Sequence, residues 1–430
     1  MTSPKFSLSA FLRGDCNVFM CGFRPFFVLT ALSATVLMAI WLLVLTGWIS
    51  IDTPGGMFLW HGHELVYGFV GAAIAGFVLT AIPEFTGATP IARCGLVRLV
   101  ILWVLARIAY ALAGFWPHWL GLWPAMLLSL MFWGGILAAI IPPLWHDSQR
   151  RHLSFIWTLG ALALIEMGFY LSAQLELMDG LVWLRVAVGL IMILIIVAAS
   201  RISMAVVNQR VEQGRPGQPE PEDVGYLARP PRRNLAIFTI AVCTATEFYL
   251  GDNTVTGWTA LAASAAMLNL LNDWHVGRPL FTRWAFMMYS FYWLLAIGYA
   301  LMGAAWLGAP LLPSAGRHLL MVGVLALTIL TVMSVAGRIH AGQWLDRRLW
   351  IPTIAVLFVV SAVLRTLAGT YAAMNWAMPL WLIAGSIWAI CFAVYLFKAW
   401  KVLTGPRPDG LTGCEEPVNR HSDLDNRELG

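Results

Sequence analysis

The chain has 430 residues, of which 60% are hydrophobic and 11% charged, and its mean hydropathy is strongly positive. This composition excludes a soluble globular domain and indicates an all-α polytopic membrane protein in a lipid bilayer. The net charge of +5 does not indicate nucleic-acid binding, because Lys and Arg in a membrane protein mainly set its topology.

Hydropathy predicts about twelve membrane-spanning helices. In chain order, we place them at 26–49, 64–82, 96–115, 119–145, 153–176, 181–207, 235–251, 255–273, 285–307, 317–338, 352–372 and 376–400. Most of the 27 Lys and Arg fall at the same side as the termini, which predicts that both termini are cytoplasmic. The six cysteines show no disulfide-like spacing.

The spans divide into two groups of six. Residues 208–234 are rich in Pro, Gly, Glu and Arg, which predicts a cytoplasmic linker between a first half at 26–207 and a second half at 235–403. We expect residues 1–25 to form a cytoplasmic N-terminal segment and residues 404–430 to form a disordered cytoplasmic tail. This layout suggests a pseudo-twofold architecture, although we find no convincing internal sequence repeat.

Three protonatable residues lie at the start of the second span: His61, His63 and Glu64. In an extended loop, the two imidazoles can face one metal ion. In a helix they point about 200° apart, so one centre can take only one of them. Imidazole suits copper and haem iron, and a neighbouring carboxylate can orient the ring. The alternative is that each histidine is a hydrogen-bonded residue at the membrane boundary.

Two further histidines bracket the tenth span. His318, with Arg317 beside it, falls on the same side as His61 and His63, whereas His340 falls on the opposite side. Roughly 33 Å of helix separates His318 from His340, so they cannot bind the same centre. We therefore expect an outer site around His61, His63 and His318, and a possible inner site at His340.

Four charged residues lie within otherwise apolar spans, where an ionised side chain needs a partner or water. They are Arg107, Glu166, Glu247 and Arg365. Pairing of Arg107 with Glu166 and of Glu247 with Arg365 would satisfy them structurally. Alternatively, the arginines hold the propionates of a haem, or the acids pass protons to a buried centre.

The sequence resembles the NnrS family in several blocks. These are Gly22-Phe23-Arg24-Pro25-Phe26-Phe27, Trp60-His61-Gly62-His63-Glu64, Arg317-His318-Leu319 and Ser334 to Gly342 with His340. The resemblance implies a multi-pass protein of the bacterial inner membrane that contains haem b and copper and is linked to nitric oxide metabolism, denitrification and nitrosative stress. It makes His61, His63, His318 and His340 the candidate haem or metal ligands. Glu64, Arg317, Arg24, Arg107 and Arg365 are candidates to support the ligands or to hold propionates.

Three functions fit these observations. The first is a haem protein, possibly also containing copper, that binds or turns over nitric oxide, with a nitric-oxide-related oxidoreductase activity as one form of it. The sequence shows no soluble redox domain, so such an activity needs an external electron donor or quinol. The second is a twelve-helix secondary transporter, in which the intramembrane charges mark the substrate path. The third is an assembly factor that delivers haem or metal to a respiratory enzyme.

Overall fold

The computed structural model describes residues 13–115, 120–147, 150, 152–213, 215, 224–414 and 416–417. Within this part of the chain the fold is helical, and the only extended pairing is an isolated bridge between Leu311 and Thr370. Twelve long helices follow the predicted order: α1 (Phe23–Leu45), α2 (Gly56–Thr86), α3 (Arg93–Leu112), α4 (Trp123–His146), α5 (Ser154–Leu175), α6 (Gly180–Val207), α7 (Pro230–Leu250), α8 (Thr254–Leu271), α9 (Arg283–Trp306), α10 (Pro313–Ile339), α11 (Trp350–Leu367) and α12 (Ala377–Thr404).

The described helices confirm an all-α polytopic membrane protein. Eleven of them are long and apolar enough to cross a membrane. The twelfth, α7, has Arg232 and Arg233 in its first turn and Glu247 in its last, so its apolar length is shorter. We call the end of the bundle where α2 and α10 begin the upper end, and the end where α1 begins and α12 finishes the lower end.

Two helices, α2 and α10, form the centre of the bundle. Of their apolar windows, 89% and 78% of the residues are buried, more than in any other described span. Helix α2 packs against α1 and α4, whereas α10 packs against α9 and α11. The halves meet where α1 contacts α12 and where α6 contacts α7. The other helices therefore surround two inner helices, one from each half.

Both inner helices change geometry at the same place. A π-helical segment, Glu64–Val70, follows His63 directly in α2. A second π-helical segment, Leu319–Val324, follows His318 directly in α10. Segments of this kind are rare and frequently lie at functional sites. The upper ends of both inner helices are therefore the first places to look for a site.

The residues that surround α2 and α10 also occupy equivalent positions in the two halves. A side chain at Gly68 would meet Glu64, Arg107 and Leu37, and one at Gly323 would meet Leu319, Ala362 and Leu294. One constant offset in residue number relates Gly68 to Gly323, Glu64 to Leu319 and Arg107 to Ala362. The same offset relates His63 to His318 and the left-handed Gly87 to the left-handed Gly342.

A short motif lies at or just before the start of each of these units. Arg24-Pro25-Phe26-Phe27 lies at the start of α1, and Arg278-Pro279-Leu280-Phe281 lies just before α9. The chain thus contains an internal repeat, in which α1 and α2 correspond to α9 and α10. The sequence alone showed no convincing repeat, because the matching residues are few and widely spaced.

The lower end brings the start and the end of the described chain together. A disulfide joins Cys21 to Cys414, a pairing that the cysteine spacing did not indicate. The buried Arg24 donates to the carbonyl oxygen of Gly405 at 2.6 Å, and Arg407 is only 3% exposed. Residues 405–414, which we assigned to a disordered tail, therefore pack against the bundle. Residues 418–430 of that tail and 216–223 of the linker lie outside the described residues.

Helices α9 and α10 approach closely at a glycine, which permits a test of the packing. An alanine Cβ at Gly316 would lie 2.5 Å from the carbonyl oxygen of Gly298 and 2.7 Å from the backbone nitrogen of Met302. We expect Gly316→Ala to lower stability by about 1–3 kcal/mol, because backbone atoms must move apart. Thermal unfolding in detergent measures this change.

The matched control is Gly134→Ala, since nothing lies within 4 Å of a Cβ at that exposed helical position. This variant should unfold at the wild-type temperature or slightly above it, because alanine favours a helix over glycine. Equal unfolding temperatures for the two variants would contradict the close approach of α9 and α10.

Candidate functional site

The two histidines at the start of α2 face different surroundings. Both lie in regular helix, within Gly56–His63, so their side chains diverge as expected for a helical spacing. The ring of His61 stacks on Trp41 of α1, with centroids 4.0 Å apart and an interplanar angle of 17°. The ring of His63 points into the first half. The two imidazoles therefore belong to separate groups.

The first group, which we call the carboxylate cluster, consists of His63, Glu64, Arg107 and Glu166. The fully buried His63 has its Nδ1 3.1 Å from Glu64 and its Nε2 3.2 Å from Glu166. Arg107 donates to Glu64 at 2.7 Å and lies 3.8 Å from Glu166. The expected pairing of Arg107 with Glu166 is confirmed. Because both ring nitrogens face carboxylates, His63 has no free nitrogen for a metal.

Aromatic and hydroxyl side chains enclose the carboxylate cluster. Trp133 donates its indole N–H to Glu166 at 2.6 Å, and Arg107 donates to Ser129 at 2.9 Å. The ring of Phe169 stacks on His63 with centroids 4.6 Å apart. Two acids, one arginine and one imidazole thus satisfy one another without solvent. The sequence indicated the charges, but not that these aromatic residues surround them.

The second group lies at the start of α10. His318 has its Nδ1 2.8 Å from the carbonyl oxygen of Ser314, which can only accept a hydrogen bond, so the proton lies on Nδ1. Its Nε2 accepts a hydrogen bond from Arg365 of α11 at 3.0 Å. A backbone carbonyl that holds the Nδ1 proton makes Nε2 the acceptor of the ring, which is the usual arrangement of a ligating histidine. A metal would take this lone pair in place of the Arg365 N–H.

His61 belongs with this second group. The positive charge of Arg365 acts on both His61 and His318, and His61 acts on His318. The Nδ1 of His61 is buried and has no hydrogen-bond partner in the described structure. The outer site expected from the sequence therefore separates into two, and His61 joins His318 from the opposite half. We call His61, His318 and Arg365 the interhalf cluster.

The repeat explains why the two groups differ. Glu64 and Arg107 form an ion pair beside Gly68, whereas the equivalent Leu319 and Ala362 place only apolar atoms beside Gly323. The histidine of the second half thus has no neighbouring carboxylate at the position where His63 has one. Instead, Arg365 lies one turn beyond Ala362 and contacts His318.

Glu247 has a different partner from the one we expected. It accepts two hydrogen bonds from Arg317, at 2.6 and 3.2 Å, and lies 3.8 Å from Arg185. The expected pairing of Glu247 with Arg365 is therefore wrong. Arg317 is committed to this carboxylate even though its neighbour His318 belongs to the interhalf cluster.

His340 and Arg24 lie at the lower end, away from the other candidate residues. The Nε2 of His340 is 3.2 Å from Glu84, and its Nδ1 is 3.1 Å from the carbonyl oxygen of Cys414. Burial lowers the pKa of His340, but the contacts with Glu84 and Cys414 raise it more, so the pKa lies above its ordinary value. Both ring nitrogens of His340 are thus engaged by the tail and by α2.

The described residues contain no group of three or more His, Cys, Asp or Glu side chains arranged to hold a metal ion. A metal centre in this part of the chain would therefore rest on fewer protein ligands. The sequence also gave no sign of Ser314, Trp41 or Trp381, which contact members of the interhalf cluster.

The balance of charge in the carboxylate cluster gives a direct test. We expect Arg107→Ala to lower stability by about 3–5 kcal/mol, because it leaves two buried carboxylates without their cation. The double variant Glu64→Leu with Arg107→Ala installs the residues found at Leu319 and Ala362. The double variant should be more stable than Arg107→Ala, because it also removes the Glu64 carboxylate and so leaves one uncompensated buried charge fewer.

Thermal unfolding of both variants measures this difference. Arg185→Ala is the control, since its partly exposed side chain lies 3.8 Å from Glu247 and that carboxylate keeps both hydrogen bonds from Arg317. A double variant that is as unstable as Arg107→Ala would show that the charge balance does not govern the stability of this cluster.

A search of curated proteins found no match to the chain. The NnrS protein family, by contrast, matches residues 17–407 and so includes all twelve long helices. Its members are nitric-oxide-associated membrane proteins. The match covers most of the chain, and the chain therefore belongs to the NnrS family.

Proposed function

We propose that this protein is a haem protein of the bacterial inner membrane that binds nitric oxide and protects against nitrosative stress, with its haem at the interhalf cluster. The observation that carries the proposal is the hydrogen bonding of the ring nitrogens of two histidines. His61 has a buried nitrogen without a partner, and His318 has its Nε2 lone pair directed at a cation rather than at a carboxylate.

The residues of this cluster fit a haem or a copper ion. Imidazole nitrogen is a ligand that both metals accept. His61 and His318 would hold the group from opposite halves, and the carbonyl oxygen of Ser314 would orient the ring of His318. Haem iron held in this way would bind nitric oxide in place of one of the two imidazoles. Haem b is our first choice, and copper is the second metal that the same histidines suit.

The remaining candidate residues receive other roles in this proposal. His63, Glu64 and Arg107 belong to the ion-paired carboxylate cluster that supports the start of α2. Arg317 positions the start of α10 through Glu247. His340 and Arg24 hold the lower end together. Arg365 alone among the candidate arginines lies beside the proposed ligands, so it is the one that would contact a propionate.

The surroundings of the cluster suit a small apolar gas. Nitric oxide partitions into bilayers, and the site lies among membrane-spanning helices. Any turnover of the gas requires electrons from a quinol or an external donor protein. Binding alone does not, so the proposal rests on binding and leaves reduction as an additional activity.

Haem content tests the proposal. We expect His61→Ala and His318→Ala each to lower the Soret absorbance per protein by at least about tenfold, because each removes one of the two imidazoles that would hold the haem. The residual haem should no longer shift its spectrum on addition of nitric oxide as the wild-type protein does. Optical spectra of detergent-purified protein, made with sufficient haem, measure both effects.

The controls are His340→Gln and His146→Gln. The first changes a histidine at the lower end, and the second an exposed one that contacts the carbonyl oxygen of Pro142. Both should keep the wild-type haem content. Full haem content in both His61→Ala and His318→Ala, or wild-type protein without haem that carries solute flux in liposomes, would exclude the proposal.

A further inference from the structure

We propose that Arg365 and Trp381, beside the two histidines of the interhalf cluster, form a binding site for a small anion with a carboxylate-like pair of oxygens. This inference deepens the proposed function, because it names a second ligand chemistry at the same cluster. The anion is either free in solution, such as nitrite, or a carboxylate side chain of the bound cofactor. Both sources present the same two oxygens to the protein.

The first argument concerns the charge of Arg365. Its guanidinium contacts His318 and the ring of Trp381, 5.2 Å from the ring centroid. No acidic side chain of the described residues pairs with it. The other arginines at the upper end differ, because Arg107 pairs with Glu64 and Arg317 with Glu247. Arg365 is thus a largely buried cation without an anion.

Burying an unpaired cation among membrane helices is unfavourable in free energy. Taking a cation out of water carries a penalty that an ion pair or several hydrogen bonds must offset. A cation–π contact with Trp381 recovers only part of this penalty, and a neutral imidazole adds one hydrogen bond. An anion at the guanidinium would supply the missing compensation.

The second argument concerns hydrogen-bonding groups around Arg365 that have no partner. The indole Nε1 of Trp381 is buried and donates to nothing in the described structure. The Nδ1 of His61 is also buried and unpaired, and the charge of Arg365 acts on its ring. Buried donors are normally satisfied. An anion can accept from the guanidinium and from the indole N–H together.

The third argument comes from the repeat. In the first half, the carboxylate of Glu64 lies between a histidine and an arginine, within 3.1 Å of His63 and 2.7 Å of Arg107. In the second half, leucine replaces this glutamate at Leu319. The histidine and an arginine are both kept, as His318 and Arg365, but the carboxylate is not. An exogenous anion would supply the group that the second half lacks.

The test uses the full-length protein, purified in detergent without cofactor, with sodium nitrite and sodium acetate as probes at constant ionic strength. If the free anion binds, the unfolding temperature of the wild-type protein rises saturably with the probe. Arg365→Gln should weaken the apparent affinity by at least about tenfold. Trp381→Phe keeps the aromatic ring and should weaken it by roughly fivefold.

The matched control is Trp388→Phe. Trp388 lies on the same helix and also has a buried, unpaired Nε1, but it packs against Phe69, Phe358 and Phe392. The same chemical change there should leave the anion response at the wild-type value. A loss of response in Trp388→Phe equal to that in Trp381→Phe would overturn the assignment to Arg365 and Trp381.

A second arm identifies a carboxylate of the cofactor as the source. Wild-type protein should bind haem at least about tenfold more tightly than haem dimethyl ester, in which both propionates are blocked. This preference should disappear in Arg365→Gln. The proposal is overturned if neither the response to free anions nor the preference for free propionates depends on Arg365. Wild-type protein that binds nitrite or acetate but no haem would refute the proposed function and leave the anion site standing.

Discussion

An ionised side chain between apolar helices has to find an opposite charge or several hydrogen bonds, and this constraint shapes the upper end of the bundle. Glu64, Glu166 and Glu247 each contact an arginine there. These pairs fix how α2, α3 and α5 meet in the first half, and how α7 and α10 meet in the second. They also decide which histidine nitrogens are engaged and which are left for a ligand.

The internal repeat shows how one structural unit supports two different sites. Each copy places a histidine directly before a π-helical segment at the upper end of a buried helix. In the first copy, carboxylates engage both nitrogens of that histidine. In the second, apolar residues replace the Glu64–Arg107 pair, and His318 retains a lone pair without an acidic neighbour. The proposed ligand site therefore lies in the half that has no equivalent of the Glu64–Arg107 pair.

Much of the fold could be predicted from the sequence, because a helix that crosses a bilayer needs a long apolar stretch. The pairing of Arg107 with Glu166 was predictable from their similar depth in the membrane. The partner of Glu247 was not, since depth does not show which faces of two helices meet. For the same reason, the sequence did not separate His63 from His61 as a ligand, although the rotation of α2 directs His63 towards two carboxylates.

Other features were hidden for different reasons. The repeat is marked by a few residues such as Gly68 and Gly323, while the apolar positions between them have diverged. Apolar residues exchange freely wherever size and pattern are kept. The disulfide between Cys21 and Cys414 spans 393 residues, and cysteine spacing carries no information at that separation.

The position of the interhalf cluster has a consequence for biosynthesis. His61 lies near the start of the chain, whereas His318 and Arg365 lie in its last third. When a ribosome has inserted only the first half into the membrane, the carboxylate cluster is complete and its members are paired. The interhalf cluster then contains only His61. The site is complete only after α10 and α11 have been inserted and have packed beside α1 and α2. Under the proposed function, ligand loading would therefore be confined to the finished chain, and a prematurely terminated protein would not capture the cofactor.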